Sequence, residues 1–301
     1  MRKIVGTIIN TLLAPLAYAI RRKHDKDNLK LEISDNYKQI YVRSFYVLPK
    51  LLTYLFFNKS KRTPNLSYRQ YDNYWNGFWK SKDIFRTDLT YTKFDKPITK
   101  LTPFEFKKNG LIKILSRKIT ENNISSVLEV GSGGGLNLMF LAPMFPNVTF
   151  IGLEPTESGV RITNEFINSP PPEFEDAYKI RKLKNTKIIK GSILDTEAVR
   201  ELENYKFDLV YTSAVLEQLH NYVDVAFENI FKLTSKYFLF FEEWLEANYL
   251  IENYLTLVNS DYFRISWNYL NRYKEIEIVE RSIPSIQPAW LKYGVVFGNK
   301  L

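Results

Sequence analysis

Val127-Leu128-Glu129-Val130-Gly131-Ser132-Gly133-Gly134-Gly135 is the stretch from which the rest of the chain is read. An apolar run carries an acidic residue near its end, glycines follow at every second position, and another apolar run starts at Leu136. The pattern predicts a buried strand, a tight turn and the opening of a helix. Glycine at such a turn lets the backbone take positive φ and come close to a ligand, with the first helical N–H groups facing the same space. A dinucleotide site would want G-x-G-x-x-G, but Leu136 stands where its last glycine would fall.

Downstream the chain alternates between strand-like and helix-like runs, which calls for a mostly parallel sheet with helices on both faces. Val148–Leu153 predicts a strand closing on Glu154, whose carboxylate could accept both hydroxyls of a ribose. A helix over 158–167 is broken by Asn168-Ser169-Pro170-Pro171-Pro172. The next strand, Thr186–Lys190, runs into Gly191-Ser192-Ile193-Leu194-Asp195, where Asp195 also suits the N-cap of a helix from Thr196. Phe207–Ser213 predicts a fourth strand and Ala214–Leu219 a helix after it. A fifth strand, Lys236–Phe241, delivers Glu242-Glu243-Trp244 to the same edge, and Lys274–Glu280 and Leu291–Phe297 alternate as two more strands.

The spacing Glu129-x-Gly131-x-Gly133-x-Gly135 resembles motif I of the class I S-adenosylmethionine (SAM) dependent methyltransferases, and the later landmarks follow that family's order over about 170 residues. The resemblance implies an α/β, Rossmann-like seven-stranded methyltransferase sheet whose last strand is antiparallel. It implies SAM as cofactor, cradled by Glu129, Gly131, Ser132, Gly133 and Gly135. Glu154 with Pro155 would meet the ribose, and Ser192, Ile193, Leu194 and Asp195 the adenine. Carbonyls near Thr212 and Ser213 would face the sulfonium and ammonium groups. Tyr71-x-x-Tyr74-Trp75 is similar to an aromatic signature in the segment that folds over the cofactor, which places Tyr74 at the site. In Leu216-Glu217-Gln218, Gln218 replaces a histidine frequent in the family, so that residue's role does not carry over. No metal is expected.

An alcohol acceptor needs a base, and the chain has only two histidines. His24 falls in a basic, solvated flank; His220 stands at the sheet edge, either as a base or packed against a helix end. Glu242 and Glu243 are the other candidates for the proton, or for orienting a polyol. Between them and the final strands lie Tyr249, Tyr254, Tyr262, Phe263, Trp267, Tyr269 and Tyr273, rings that fill a core or line an acceptor pocket. A sugar or glycan-linked small molecule suits such rings.

The 301 residues accommodate a basic N-terminal extension and cap, 1–110, and a methyltransferase domain, 111–301. Residues 1–110 carry 22 Lys/Arg against 9 Asp/Glu, so any anionic partner belongs there. The lack of cysteine excludes disulfides, thiolate metal sites and thiol nucleophiles. Ile4–Ile20 is chargeless between Arg2-Lys3 and Arg21-Arg22-Lys23, but it contains Gly6, Asn10 and Pro15 and is short for a spanning helix. It reads as a helix lying on an anionic membrane surface, with a packed helix and a signal peptide ending near Ala17-Tyr18-Ala19 as rivals. Phe45–Phe57, followed by Lys59, Lys61 and Arg62, repeats the pairing of apolar run and basic residues. The expected location is the cytoplasm, at the inner membrane face. The opposing functions are nucleic-acid methylation through the basic extension and SAM binding without catalysis.

Overall fold

The computed structural model describes residues 63–81, 89–93, 96–170, 172, 182–248, 251–288 and 291–301. The expected surface helix over 4–20, His24 and the cluster 45–57 lie outside them, as do the side chains of residues 75–81. Among the described residues no helix is long and apolar enough to cross a membrane.

The chain enters with α1 (Pro64–Ser81), started by a proline at its first position and a Thr63 hydroxyl that accepts the Leu66 amide. A hairpin of β1 (Leu89–Lys93) and β2 (Lys96–Leu101) follows. A capping box of Thr102 and Glu105 then opens α2 (Pro103–Lys107). One wide π turn, Lys108–Ile112, leads without a break into α3 (Lys113–Glu121). The helical run from Pro103 to Glu121 therefore changes pitch in its middle.

The main sheet then assembles from β3 (Ser126–Val130), β4 (Thr149–Glu154), β5 (Thr186–Lys190), β6 (Phe207–Ser213), β7 (Thr234–Glu242), β8 (Ile276–Ser282) and β10 (Gly294–Lys300). Its order is β5-β4-β3-β6-β7-β10-β8, with β10 antiparallel to both neighbours and the first five strands parallel. A short β9 (Ile286–Pro288) sits between the last two strands and pairs with β1, closing a three-stranded antiparallel sheet. The segment between the two expected last strands thus supplies a third.

Between the strands run α4 (Leu136–Met144), α5 (Glu157–Asn168), α6 (Thr196–Glu203), α7 (Val223–Leu233) and α8 (Ile251–Ser260). Alternate residues of each central strand enter opposite cores, as parallel sheets require. Val127, Leu209, Tyr211, Leu239 and Phe241 pack with α3 and α4 on one face. Leu128, Val130, Val210, Phe238 and Phe240 pack with α6 and α7 on the other. α4 is buried all round apart from its last turn, which explains its nearly unbroken apolar sequence.

One expected helix is absent. Ala214 takes a left-handed φ of 57°, and only the 3-10 turns Leu216–Gln218 and His220–Tyr222 form before α7. The amides of Val215 and Leu216 donate to the Glu242 carboxylate at 3.0 and 3.1 Å, so the strand tip next door holds this loop in an extended turn.

Candidate functional site

Chain order reverses at β3, which has β4 on one side and β6 on the other, so a crevice opens at the carboxyl ends of these strands. A cavity of about 920 Å³ occupies it, near the upper end of the usual range for ligand pockets. Its floor is the glycine loop. Gly131 and Gly135 have φ of 69° and 76°. A Cβ on Gly131 would lie 2.5 Å from Val215 Cγ2, and one on Gly135 2.6 Å from Thr163 Cγ2. The loop amides are largely spoken for. Gly131 and Ser132 donate to the Leu153 carbonyl, Gly135 to that of Ser132, and Gly133 to the carboxylate of Glu154 at 2.7 Å. Close approach of backbone, more than free N–H groups, is what this loop offers a ligand.

Glu129 is 1% exposed and accepts a hydrogen bond from the Asn137 amide. Desolvation pushes its carboxyl up to about 7, against the pull of that hydrogen bond and of Lys107. Glu154 is also buried and raised by desolvation, while Gly133 and Thr156 donate to it. Its Oε2 accepts only the Gly133 amide among these contacts and retains acceptor capacity toward the cavity.

A second group of acids closes the far end. Glu217 comes from the 3-10 turn after β6, and Glu242 and Glu243 from the end of β7. All three are at most 2% exposed, and their carboxylate oxygens lie within 4.8 Å of one another. Burial raises all three carboxyls, Glu243 to about 7. Glu217 and Glu243 line the cavity; Glu242 faces the Val215–Leu216 backbone instead. Lys107, the last residue of α2, also lines the wall, and desolvation lowers its ammonium despite the surrounding glutamates.

α1 forms the roof. Ser67, Tyr68, Tyr71 and Tyr74 line the cavity from one face of this helix. The Tyr68 hydroxyl and Ser192 Oγ are 2.6 Å apart. Asp72 accepts the Ser158 amide at 2.8 Å and Ser158 Oγ donates to the Asp72 carbonyl at 2.8 Å, pinning α1 to the start of α5.

Of the residues expected at the site, the cavity wall gathers Glu129, Gly131, Ser132, Gly133, Glu154 and Pro155. It also contains Ser192, Ile193, Ser213, Tyr74 and Glu243. Gly135, Leu194, Asp195, Thr212, Glu242 and His220 are not in this wall. Asp195 caps α6 by accepting the Glu197 and Ala198 amides, the alternative its position left open. Thr212 is fully buried within β6. His220 stands in the second 3-10 turn near Asp261 and Arg264, its pKa lowered by desolvation and then by Arg264.

Among the aromatic residues between β7 and β8, Tyr262 lines the cavity. Phe263 is core, and the Tyr269 and Tyr273 hydroxyls donate to Asp224 on the outer side of α7. Asn137 and Glu217 were missed, although Asn137 is a lone polar residue in an apolar stretch and Glu217 stands with Gln218 between apolar residues. Nothing local marked Lys107 or Tyr293, which only the fold brings to the cavity, or Asp72, which the fold sets against Ser158.

No family model and no curated protein matches the sequence. Solved structures do match the fold. An O-methyltransferase family protein from Burkholderia thailandensis is 12% identical, with a TM-score of 0.53 over 87% of this chain and 71% of its own. The mitomycin 7-O-methyltransferase is 12% identical over 60% of this chain and 50% of its own, with a TM-score of 0.45. The chain has the Rossmann-like seven-stranded sheet of class I methyltransferases, with its antiparallel strand β10.

Proposed function

We propose that the chain is a SAM-dependent methyltransferase that methylates a hydroxyl oxygen of a sugar or glycan-linked small molecule. One observation carries this reading. Glu129, Ser132, Asn137, Glu217 and Glu243 all line the cavity, and each keeps a buried side-chain oxygen with no protein partner. Buried polar atoms are normally satisfied, and Glu129, Ser132 and Asn137, gathered beside the glycine loop, offer theirs to a polar ligand.

The residues fit an adenosyl sulfonium. Glu129 and Ser132 would hold its amino-acid end, with electrostatic attraction from the Glu129 carboxylate for the positive charge. Glu154 would take the ribose hydroxyls through the acceptor capacity left on Oε2. Ser192 and Ile193 would border the base, with Leu194 and Asp195 just behind them, and Tyr74 would cover it from α1. When bound, SAM supplies a methyl group already activated for in-line displacement, so positioning the acceptor is the chief task left to the protein.

Glu243 is the proton acceptor we assign, because it faces the cavity and its carboxyl titrates at about 7, near the pH where general bases work best. Glu242 instead braces the turn that carries Glu217, and His220 stands outside the cavity wall. Tyr71, Tyr262 and Tyr293 offer ring faces and hydroxyls suited to a polyol. The basic, apolar N-terminus supports docking at the inner, cytoplasmic membrane face, so that the acceptor would be met close to a lipid surface.

Calorimetric titration of SAM into the wild type and Glu154→Ala tests the cofactor assignment. Binding by the wild type that weakens at least about tenfold in the variant is expected; no binding by either would remove the enzymatic reading. SAM binding without turnover over a broad panel of sugar acceptors would favour a non-catalytic adaptor. Affinity for nucleic acid falling steeply with salt would instead favour the basic extension as a phosphate-binding arm.

A further inference from the structure

We infer that Glu217 and Glu243 form a carboxyl–carboxylate pair that shares one proton near neutral pH and accepts a second at Glu243. Accepting it from an acceptor hydroxyl rests on the methyl-transfer reading; the sharing of the first proton does not. Glu217 is a positioning residue here, and Glu243 is the group that touches the acceptor.

The argument starts from crowding. Like charges in a water-poor interior repel strongly at such separations, and three buried carboxylates lie within 4.8 Å of one another here. Full ionisation is therefore excluded unless positive charge enters the cluster. Lys107 faces it from α2, but the same lysine also faces Glu129 on β3. One ammonium cannot neutralise four carboxylates. Among the described residues the rings of Tyr71, Tyr262 and Tyr293 also line this cavity, and burial, then Glu243 and Glu217, hold the Tyr293 hydroxyl far above its ordinary pKa.

The hydrogen bonds then separate the three acids. Glu242 accepts two backbone amides, from Val215 and Leu216, and faces away from the cavity, although burial and Glu217 outweigh that pull and raise it well above the usual carboxylate range. Glu217 Oε2 and Glu243 Oε2 have no partner, and both side chains line the cavity. A proton held between these two side chains would satisfy part of that deficit. Burial and the Glu243 charge raise Glu217 well above the usual carboxylate range, whereas Glu243 is raised only to about 7. The asymmetry makes Glu217 the resident holder of the proton and Glu243 the partner left able to accept another. Such a pair titrates in two steps that belong to both residues.

Infrared spectroscopy of the full-length protein labelled with carboxyl-¹³C glutamate tests this without SAM or acceptor. Spectra would be taken from about pH 3 to about pH 9 for the wild type, Glu217→Gln and Glu243→Gln. Glu129 and Glu242 contribute acid carbonyl bands of their own, so the difference spectra are read. Near pH 7 both variants should lose the same band, since a neutral amide partner lets the surviving carboxyl ionise. The midpoint of that survivor should fall by about one pH unit or more.

A band that persists in Glu243→Gln would show Glu217 protonated independently and overturn the pair. A wild-type band that millimolar Mg²⁺ or Mn²⁺ abolishes would show a metal ion in place of the proton and overturn it as well. If either amide variant fails to fold, the wild-type titration still decides, because one midpoint near the usual carboxylate value of 4.5 for all acids excludes sharing. Failure of SAM to bind would leave these bands unchanged, so the two readings fail separately.

Discussion

The carboxylate of Glu154, at the tip of β4, accepts the backbone amide of Gly133 at 2.7 Å and so tethers the glycine loop that leaves β3. The same carboxylate accepts the amide of Thr156, which caps α5. One side chain thereby fixes the relative position of two adjacent β–α turns. Glu154→Ala would leave these buried amides without an acceptor, at a cost of about 2–4 kcal/mol. Chemical denaturation should show that loss, together with the weakened SAM binding measured by calorimetry. A variant as stable as the wild type would mean that the tether is immaterial.

Gly131→Ala should destabilise the fold by about 2–4 kcal/mol, from a left-handed φ and from a Cβ placed 2.5 Å from Val215. Adding Val215→Ala removes the clash and leaves the backbone term. The double variant should therefore recover only part of the loss in urea melts. Complete recovery would show that the positive φ carries no cost.

Asp72 is held below the usual carboxylate range, first by the Ser158 amide. With a lowered folded pKa, its stabilising effect is present above the ordinary carboxylate pKa and disappears as pH falls through the folded value. Acidification or Asp72→Ala should release α1 from α5 before the sheet unfolds. Hydrogen exchange confined to residues 64–81 would record this, whereas simultaneous exchange through the strands would contradict it.

Glu129 changes stability in the opposite sense. Its folded pKa of about 7 exceeds the usual 4.5, so the unfolded chain ionises first as pH rises. Stability is full below about pH 4.5 and falls as pH rises through about 7, by about 3 kcal/mol for this group. Glu129→Gln should flatten that decline in thermal melts. A bound sulfonium and ammonium would favour the carboxylate, so SAM binding near pH 7 should release protons. Calorimetry in buffers of different ionisation enthalpy detects this release, and an unchanged heat would refute it.

The order of strands was legible because the apolar runs end at turn residues. Thr186–Lys190 and Phe207–Ser213 appear in the fold with the bounds read from sequence. The last two strands sit two to three residues later than expected, since alternation alone does not say where pairing begins. The failures share a cause. The helix expected over 214–219 has adequate local propensity, but Glu242, distant in sequence, captures its first amides. That capture leaves His220 on a separate turn and turns Glu217 toward the cavity. Asn137 carried a visible signal, a lone polar group in an apolar run, and Glu217 a weaker one, being paired with Gln218. Lys107 carried none.

The wide turn at Lys108–Ile112 gives the chain one residue more than regular helical winding would need. Winding the same residues at regular pitch would instead turn what precedes them by about 100° more. Lys107 would swing off the wall and take its ammonium away from four acids, while α3 kept its place against the sheet. The extra residue works as a rotational setting between cap and core: the charge balance of the cavity is written in the length of a helix as much as in the identity of the side chains around it.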